Sequence, residues 1–121
     1  MLEELKNIED LVFVGGFAMH KLGLKESYSD LDVVVTSKEF LNDITWYETD
    51  SAFSGSGIRG FLIYNGIKLD IFLESALPEF EIIDGFKIQT KKSMREYYEK
   101  IYNFVKEYWK KDIENKLKLL Q

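Results

Sequence analysis

Cysteine is absent from this 121-residue chain, and histidine and proline occur once each, as His20 and Pro78. The first absence excludes a disulfide framework and a thiolate zinc site, and the single histidine means that any metal must be held mainly by carboxylates. That donor chemistry points to a hard ion, Mg²⁺ or Mn²⁺. No run of about 18 apolar residues is present to span a membrane, so no membrane partner is expected. The opening MLEELKNIED is too acidic for a secretory signal, and a cytoplasmic location is the expectation. Apart from Ser54-Gly55-Ser56-Gly57 there is no flexible stretch that would serve as a linker, and no internal repeat. With 45% hydrophobic residues, residues 1–121 read as one domain, a core over 1–90 and a C-terminal segment over 91–121.

Charge is unevenly placed. Residues 91–121 hold nine Lys/Arg against five Asp/Glu, whereas the first ninety hold seven against sixteen, within an overall charge of -5. An acidic body with a basic tail suits a metal site beside a polyanion-binding surface, although a charge run also arises as a simple solvated helix face.

The pattern of elements is mixed α/β. Residues 2–10 read as a short helix. Leu11 to Val14 is an apolar strand that stops at Gly15-Gly16, and Phe17 to Leu22 resumes helical spacing, with Gly23 as its C-cap. Asp30 to Thr36 reads as a central strand, and Ser37 to Leu41 as an N-cap followed by a short helix. Two hairpins are encoded: Ile58 to Tyr64 and Ile67 to Leu73 flank Asn65-Gly66, and Phe80 to Ile83 and Phe86 to Gln89 flank Asp84-Gly85. Both dipeptides suit type I′ turns. From Lys91 onward, Met94, Tyr98, Ile101, Val105, Tyr108, Ile113 and Leu117 predict one long helix.

The chemistry sits in three acids. Asp30 and Asp32, two apart on a strand, present both carboxylates on one face while Leu31 and Val33 turn to the core. Asp70 interrupts an otherwise apolar strand, where a half-buried acid is costly without a partner. Adjacent carboxylates repel, so such a group calls for a cation. Three of them on neighbouring strands can hold two divalent ions roughly 3.5 to 4 Å apart, the arrangement that serves phosphoryl transfer. Gly15-Gly16, between a strand and a helix, lets phosphate approach free backbone N–H groups.

The order of hydrophobic residue, Gly-Gly, short helix, Asp-x-Asp and distal strand Asp resembles the DNA polymerase beta-type nucleotidyltransferase superfamily. The similarity is greatest to its minimal nucleotidyltransferases and the nucleotidyltransferase toxins and antitoxins of prokaryotes. FVGGFAMHKLGLKESYSDLDVVV carries the first motif and GIKLDIF the third-acid strand, so residues 13–73 are covered; YWKKDIENKL is similar to a Lys-Asp-rich helix of those families. The resemblance implies a nucleotidyltransferase fold, a mixed twisted sheet flanked by helices with a long C-terminal helix. It further implies that Asp30 and Asp32 ligate the metals, that Asp70 completes the site and helps activate an acceptor hydroxyl, and that Gly15 and Gly16 hold the triphosphate. Gly16 departs from the frequent Gly-Ser form, so a serine contact to phosphate is missing.

Around these residues, Arg59 is suited to bidentate phosphate contact. His20 has no paired ligand and reads as a packing residue, Lys21 and Lys25 follow the glycine turn, and Lys110 and Lys111 read as a solvated helix face. The rings of Tyr97, Tyr98, Tyr102, Phe104, Tyr108 and Trp109 exceed one apolar stripe, which fits a small helical partner protein or a homodimer. The expected activity is transfer of a nucleoside monophosphate from a nucleoside triphosphate to a hydroxyl on RNA or tRNA, protein or a small molecule, releasing pyrophosphate, in a toxin–antitoxin setting. The alternatives are a non-catalytic antitoxin or regulatory partner of the same fold, and a metal-dependent phosphodiesterase.

Overall fold

A computed structural model describes residues 2–121. In chain order the elements are α1 (Leu2–Lys6), β1 (Leu11–Val14), α2 (Gly15–Lys21), β2 (Leu31–Val35), β3 (Thr45–Glu48), β4 (Ile58–Tyr64), β5 (Ile67–Leu73), β6 (Phe80–Ile83), β7 (Phe86–Gln89), α3 (Lys91–Ile101) and α4 (Glu107–Leu119). The strands form one seven-stranded sheet in the order β3-β4-β5-β2-β1-β7-β6. It is mixed: β2 runs parallel to β5 and β1 parallel to β7, and the other pairings are antiparallel. The class is therefore α+β. No helix among the described residues is long and apolar enough to cross a membrane.

Both hairpins form where Asn-Gly and Asp-Gly predicted them. Asn65 and Gly66 take φ values of 50° and 79°, and Asp84 and Gly85 take 53° and 83°. Two successive positive φ values match the right-handed twist of the flanking strands. Tyr64 consequently pairs with Ile67, and Ile83 with Phe86.

The alternation along the central strands divides the sheet into two unlike faces. Leu31, Val33, Leu69, Ile71, Phe13 and Ile88 are buried on one, where Phe17 of α2 packs its ring 4.9 Å from Phe13 and 5.4 Å from Phe86. Asp32, Val34, Asp70 and Phe72 lie on the other, which is bordered by α3 and α4. Gln89 Nε2 donates to Ser93 Oγ at 3.0 Å across that border.

Several local expectations need correction. The long C-terminal helix is two helices, broken at residues 102–106. Folding back places Ile113 and Leu120 in the same core as Met94, Tyr98 and Ile101, whereas a continuous helix advancing about 1.5 Å per residue would carry them away from it. Tyr108, counted in the apolar stripe, is 71% exposed. Residues 37–41 form no helix: Ser37 Oγ accepts from the Glu39 N–H at 3.1 Å, a local turn that competes with helix formation. The first helix ends at Lys6 rather than at residue 10, and β2 begins at Leu31, so Asp30 stands just before the strand. The edge strand β3 was not anticipated.

Candidate functional site

Parallel register brings two of the three acids together. Asp32 on β2 is the Cα partner of Asp70 on β5, and on its other side Asp32 partners Val14, the last residue of β1. Because paired residues on neighbouring strands point to the same face about 4.8 Å apart, the two carboxylates stand side by side next to the glycine turn. Gly15 has a φ of 64°, and a Cβ built on it would collide with the Asp32 carboxylate oxygen and lie 3.1 Å from Asp32 Cγ. Only glycine allows that approach. A Cβ on Gly16 meets nothing within 4 Å, so the position after the turn faces open space.

These residues line a cleft of about 1040 Å³ on the acidic sheet face, at the upper end of the volumes typical of small-molecule sites. Asp30, Asp32 and Asp70 all line it, with Gly15 and Gly16. Asp30 is exposed at the rim. Among the described residues no three histidine, cysteine or acidic side chains gather as a preformed metal cage. The oxygen donors of Asp32 and Asp70 fit a hard divalent ion, with Asp30 at the rim of the same cleft.

The paired acids are not electrostatically equivalent. Asp70 has Lys68 Nζ at 3.4 Å and Arg59 Nη2 at 3.9 Å. Asp32 has no ion pair among the described residues, and burial, reinforced by the negative charge of Asp70, pushes its carboxyl up to about 6; Lys116 and Arg59 oppose the rise. A buried acid without a counter-cation is costly as a fold element, and such sites cluster where chemistry occurs.

Arg59 does not line the cleft. Its guanidinium lies 4.3 Å above the Phe72 ring while reaching Asp70, and its Nε is buried with no hydrogen-bond partner. Lys21 is likewise engaged elsewhere, pairing with Asp84 at 3.1 Å. Lys25 does border the cleft. His20 Nδ1 is 3.1 Å from the Lys25 carbonyl oxygen and its ring packs 5.3 Å from Tyr28, so it braces the loop leading to Asp30, in keeping with a packing role. Lys110 pairs with Glu107 at 3.2 Å and lies over the Tyr102 ring.

The far wall of the cleft was not visible in the motif. Tyr97, Tyr98, Lys116 and Phe53 line it. The Tyr97 hydroxyl donates to the Phe53 carbonyl oxygen at 2.6 Å, and burial raises the pKa of both tyrosines, so both stay neutral donors at physiological pH. Phe53 in turn meets Trp109 edge-on at 5.4 Å. Further ties fix the Ser/Gly stretch: the Gly55 N–H donates to Glu74 Oε1 at 3.0 Å, and Ser56 Oγ bonds to the Leu73 carbonyl oxygen.

The fold and cleft define an α+β protein with a half-buried acid pair beside a glycine turn. No protein-family model matches the chain, and neither curated proteins nor solved structures give a significant match to it.

Proposed function

We propose that this chain is a metal-dependent nucleotidyltransferase with the nucleotidyltransferase fold, moving a nucleoside monophosphate from a nucleoside triphosphate to a hydroxyl acceptor. The observation that carries the reading is the Asp32 carboxylate, without an ion pair among the described residues and held beside Asp70 and against Gly15 in a large cleft. It agrees with the order of glycine turn, Asp-x-Asp and strand acid in the sequence. A hard divalent cation, Mg²⁺ or Mn²⁺, held by Asp32 and Asp70 with Asp30 at the rim, would neutralise the phosphates and lower the pKa of the acceptor hydroxyl.

In the proposed reaction the acceptor oxygen forms a bond to the α-phosphorus, the bond from that phosphorus to the bridging oxygen breaks, and pyrophosphate leaves. Asp70 is the group assigned to receive the hydroxyl proton, with Lys68 and Arg59 holding its carboxylate in place. Gly15 and Gly16 allow phosphate oxygens to reach backbone N–H groups. Because α2 has only seven residues, those N–H groups matter more here than a helix dipole.

Incubation with α-phosphate-labelled nucleoside triphosphates, Mg²⁺ and a pool of tRNA and protein acceptors tests the reading. Labelled adduct with equimolar pyrophosphate is expected from the wild type and none from Asp32→Asn. Phosphate products without an adduct would instead identify a phosphodiesterase.

One observation favours a second reading, that of a non-catalytic partner or antitoxin. Phe104 and Tyr108 are 76% and 71% exposed, as expected for a surface that a small helical protein covers. In that case complex formation survives Asp32→Asn.

A further inference from the structure

The cleft carries five acidic side chains, Glu26, Asp30, Asp32, Asp70 and Glu74, against three lysines, Lys25, Lys100 and Lys116. Without added cations it repels a polyphosphate, so any lysine directed into it has a large effect on such a ligand. Lys25 lies in a loop and Lys100 is exposed in the last turn of α3. Lys116 differs from both.

Lys116 lies eighteen residues after Tyr98, and on one straight helix the two would be about 27 Å apart. The break at residues 102–106 brings Lys116 Nζ to 5.3 Å from the centre of the Tyr98 ring instead. Two contacts hold α4 in this position: Arg95 Nη1 donates to the Leu120 carbonyl oxygen at 3.2 Å, and Tyr102 donates to Glu114 Oε1 at 3.1 Å. Asp112, one turn before Lys116, fixes its ammonium at 3.0 Å.

An ordinary surface lysine in an i,i+4 pair looks different. Lys92, paired with Glu96 at 3.9 Å, is 69% exposed, whereas the Lys116 side chain is 24% exposed and lines the same cleft as Asp32. An ammonium has three donors. Asp112 and the Tyr98 side chain engage only part of that capacity, and a donor remains for a ligand in the cleft.

We infer that Lys116 is a substrate-binding residue whose ammonium engages nonbridging oxygens of a nucleotide's polyphosphate, α4 folding back to supply it. The inference rests on the nucleotidyltransferase reading, and it adds to the glycine turn a second phosphate contact from the opposite wall. The fold-back of the C-terminal segment thus has a role in ligand recognition as well as in closing the core.

Calorimetric titration with each of the four ribonucleoside triphosphates plus Mg²⁺, and with the corresponding monophosphates, tests it on the wild type, Lys116→Met and Lys116→Arg. Loss of one charge-assisted phosphate contact predicts about tenfold weaker triphosphate binding by Lys116→Met. A smaller change for the monophosphate and partial recovery in Lys116→Arg are expected. Unchanged triphosphate affinity in Lys116→Met, or an equal loss for mono- and triphosphate, overturns the inference while leaving the nucleotidyltransferase reading in place. A wild type that binds none of the triphosphates overturns both. Should the variants fail to fold, amine acetylation of the wild type followed by mass spectrometry decides: bound Mg²⁺-triphosphate should protect Lys116 but not Lys111, and equal labelling with and without nucleotide refutes the contact.

Discussion

Asp32 and Asp70 occupy the same register position on parallel neighbouring strands, yet Lys68 and Arg59 form ion pairs with Asp70 alone. Placed between a buried apolar face and a negative neighbour, Asp32 carries a charge that destabilises the metal-free fold. The site therefore opposes stability in the way that functional sites commonly do.

The first prediction follows from that opposition. The folded-state pKa of Asp32, about 6, lies above its ordinary value of 3.8. Between those values the folded protein retains a proton that the unfolded chain releases, so the contribution of this group to stability is greatest at low pH and is lost as pH rises through about 6. Asp32→Asn should accordingly raise the unfolding free energy of the metal-free protein at pH 8 by about 1–3 kcal/mol. The difference should shrink toward pH 4. Urea denaturation of both proteins at the two pH values checks this; a destabilised Asp32→Asn at pH 8 would contradict it.

Metal affinity should carry the opposite dependence. A divalent ion binds the ionised pair, so affinity is full above about pH 7 and falls below 6 as Asp32 takes up its proton, approaching about tenfold per pH unit. Titration with Mn²⁺ followed by its paramagnetic effect on water relaxation reads this directly. A flat profile from pH 5 to 8 would exclude Asp32 from the ligand set.

At the glycine turn the two positions should respond differently. Gly15→Ala forces a Cβ into the Asp32 carboxylate at a positive φ and should cost about 1–3 kcal/mol of stability. Gly16→Ser enters open space, so thermal unfolding should barely change, and the added hydroxyl should tighten triphosphate binding if phosphate lies at this turn. Melting curves separate the two substitutions.

Tyr97→Phe removes the hydroxyl that ties α3 to the Phe53 carbonyl oxygen. A loss of about 1 kcal/mol is expected, together with faster amide hydrogen exchange confined to residues 50–57. Uniform acceleration over the whole chain would mean that the bond supports the core rather than this loop.

How much of this was legible in advance depends on how local the cause is. The hairpin at Asn65-Gly66 was readable because two residues with positive φ define the turn, and the turn sets the register from Tyr64 back to Arg59. The pairing of Asp32 with Asp70 was only conditional, since it required β5 to be the neighbour of β2. The end of α3 is not legible in the spacing, because Ile101, Val105 and Tyr108 keep a helical interval straight across the break at residues 102–106.

By itself, the sequence determined six of the seven strands, the two I′ turns and the turning of Asp32 away from Leu31 and Val33, all through backbone preference and the two-residue period of a strand. Tertiary structure alone decided that Arg59 supports Asp70 rather than lining the cleft, that Asp32 is left without an ion pair, and that Lys116 returns to the site. Those outcomes depend on which distant surfaces are removed from water together. No local spacing of residues encodes that.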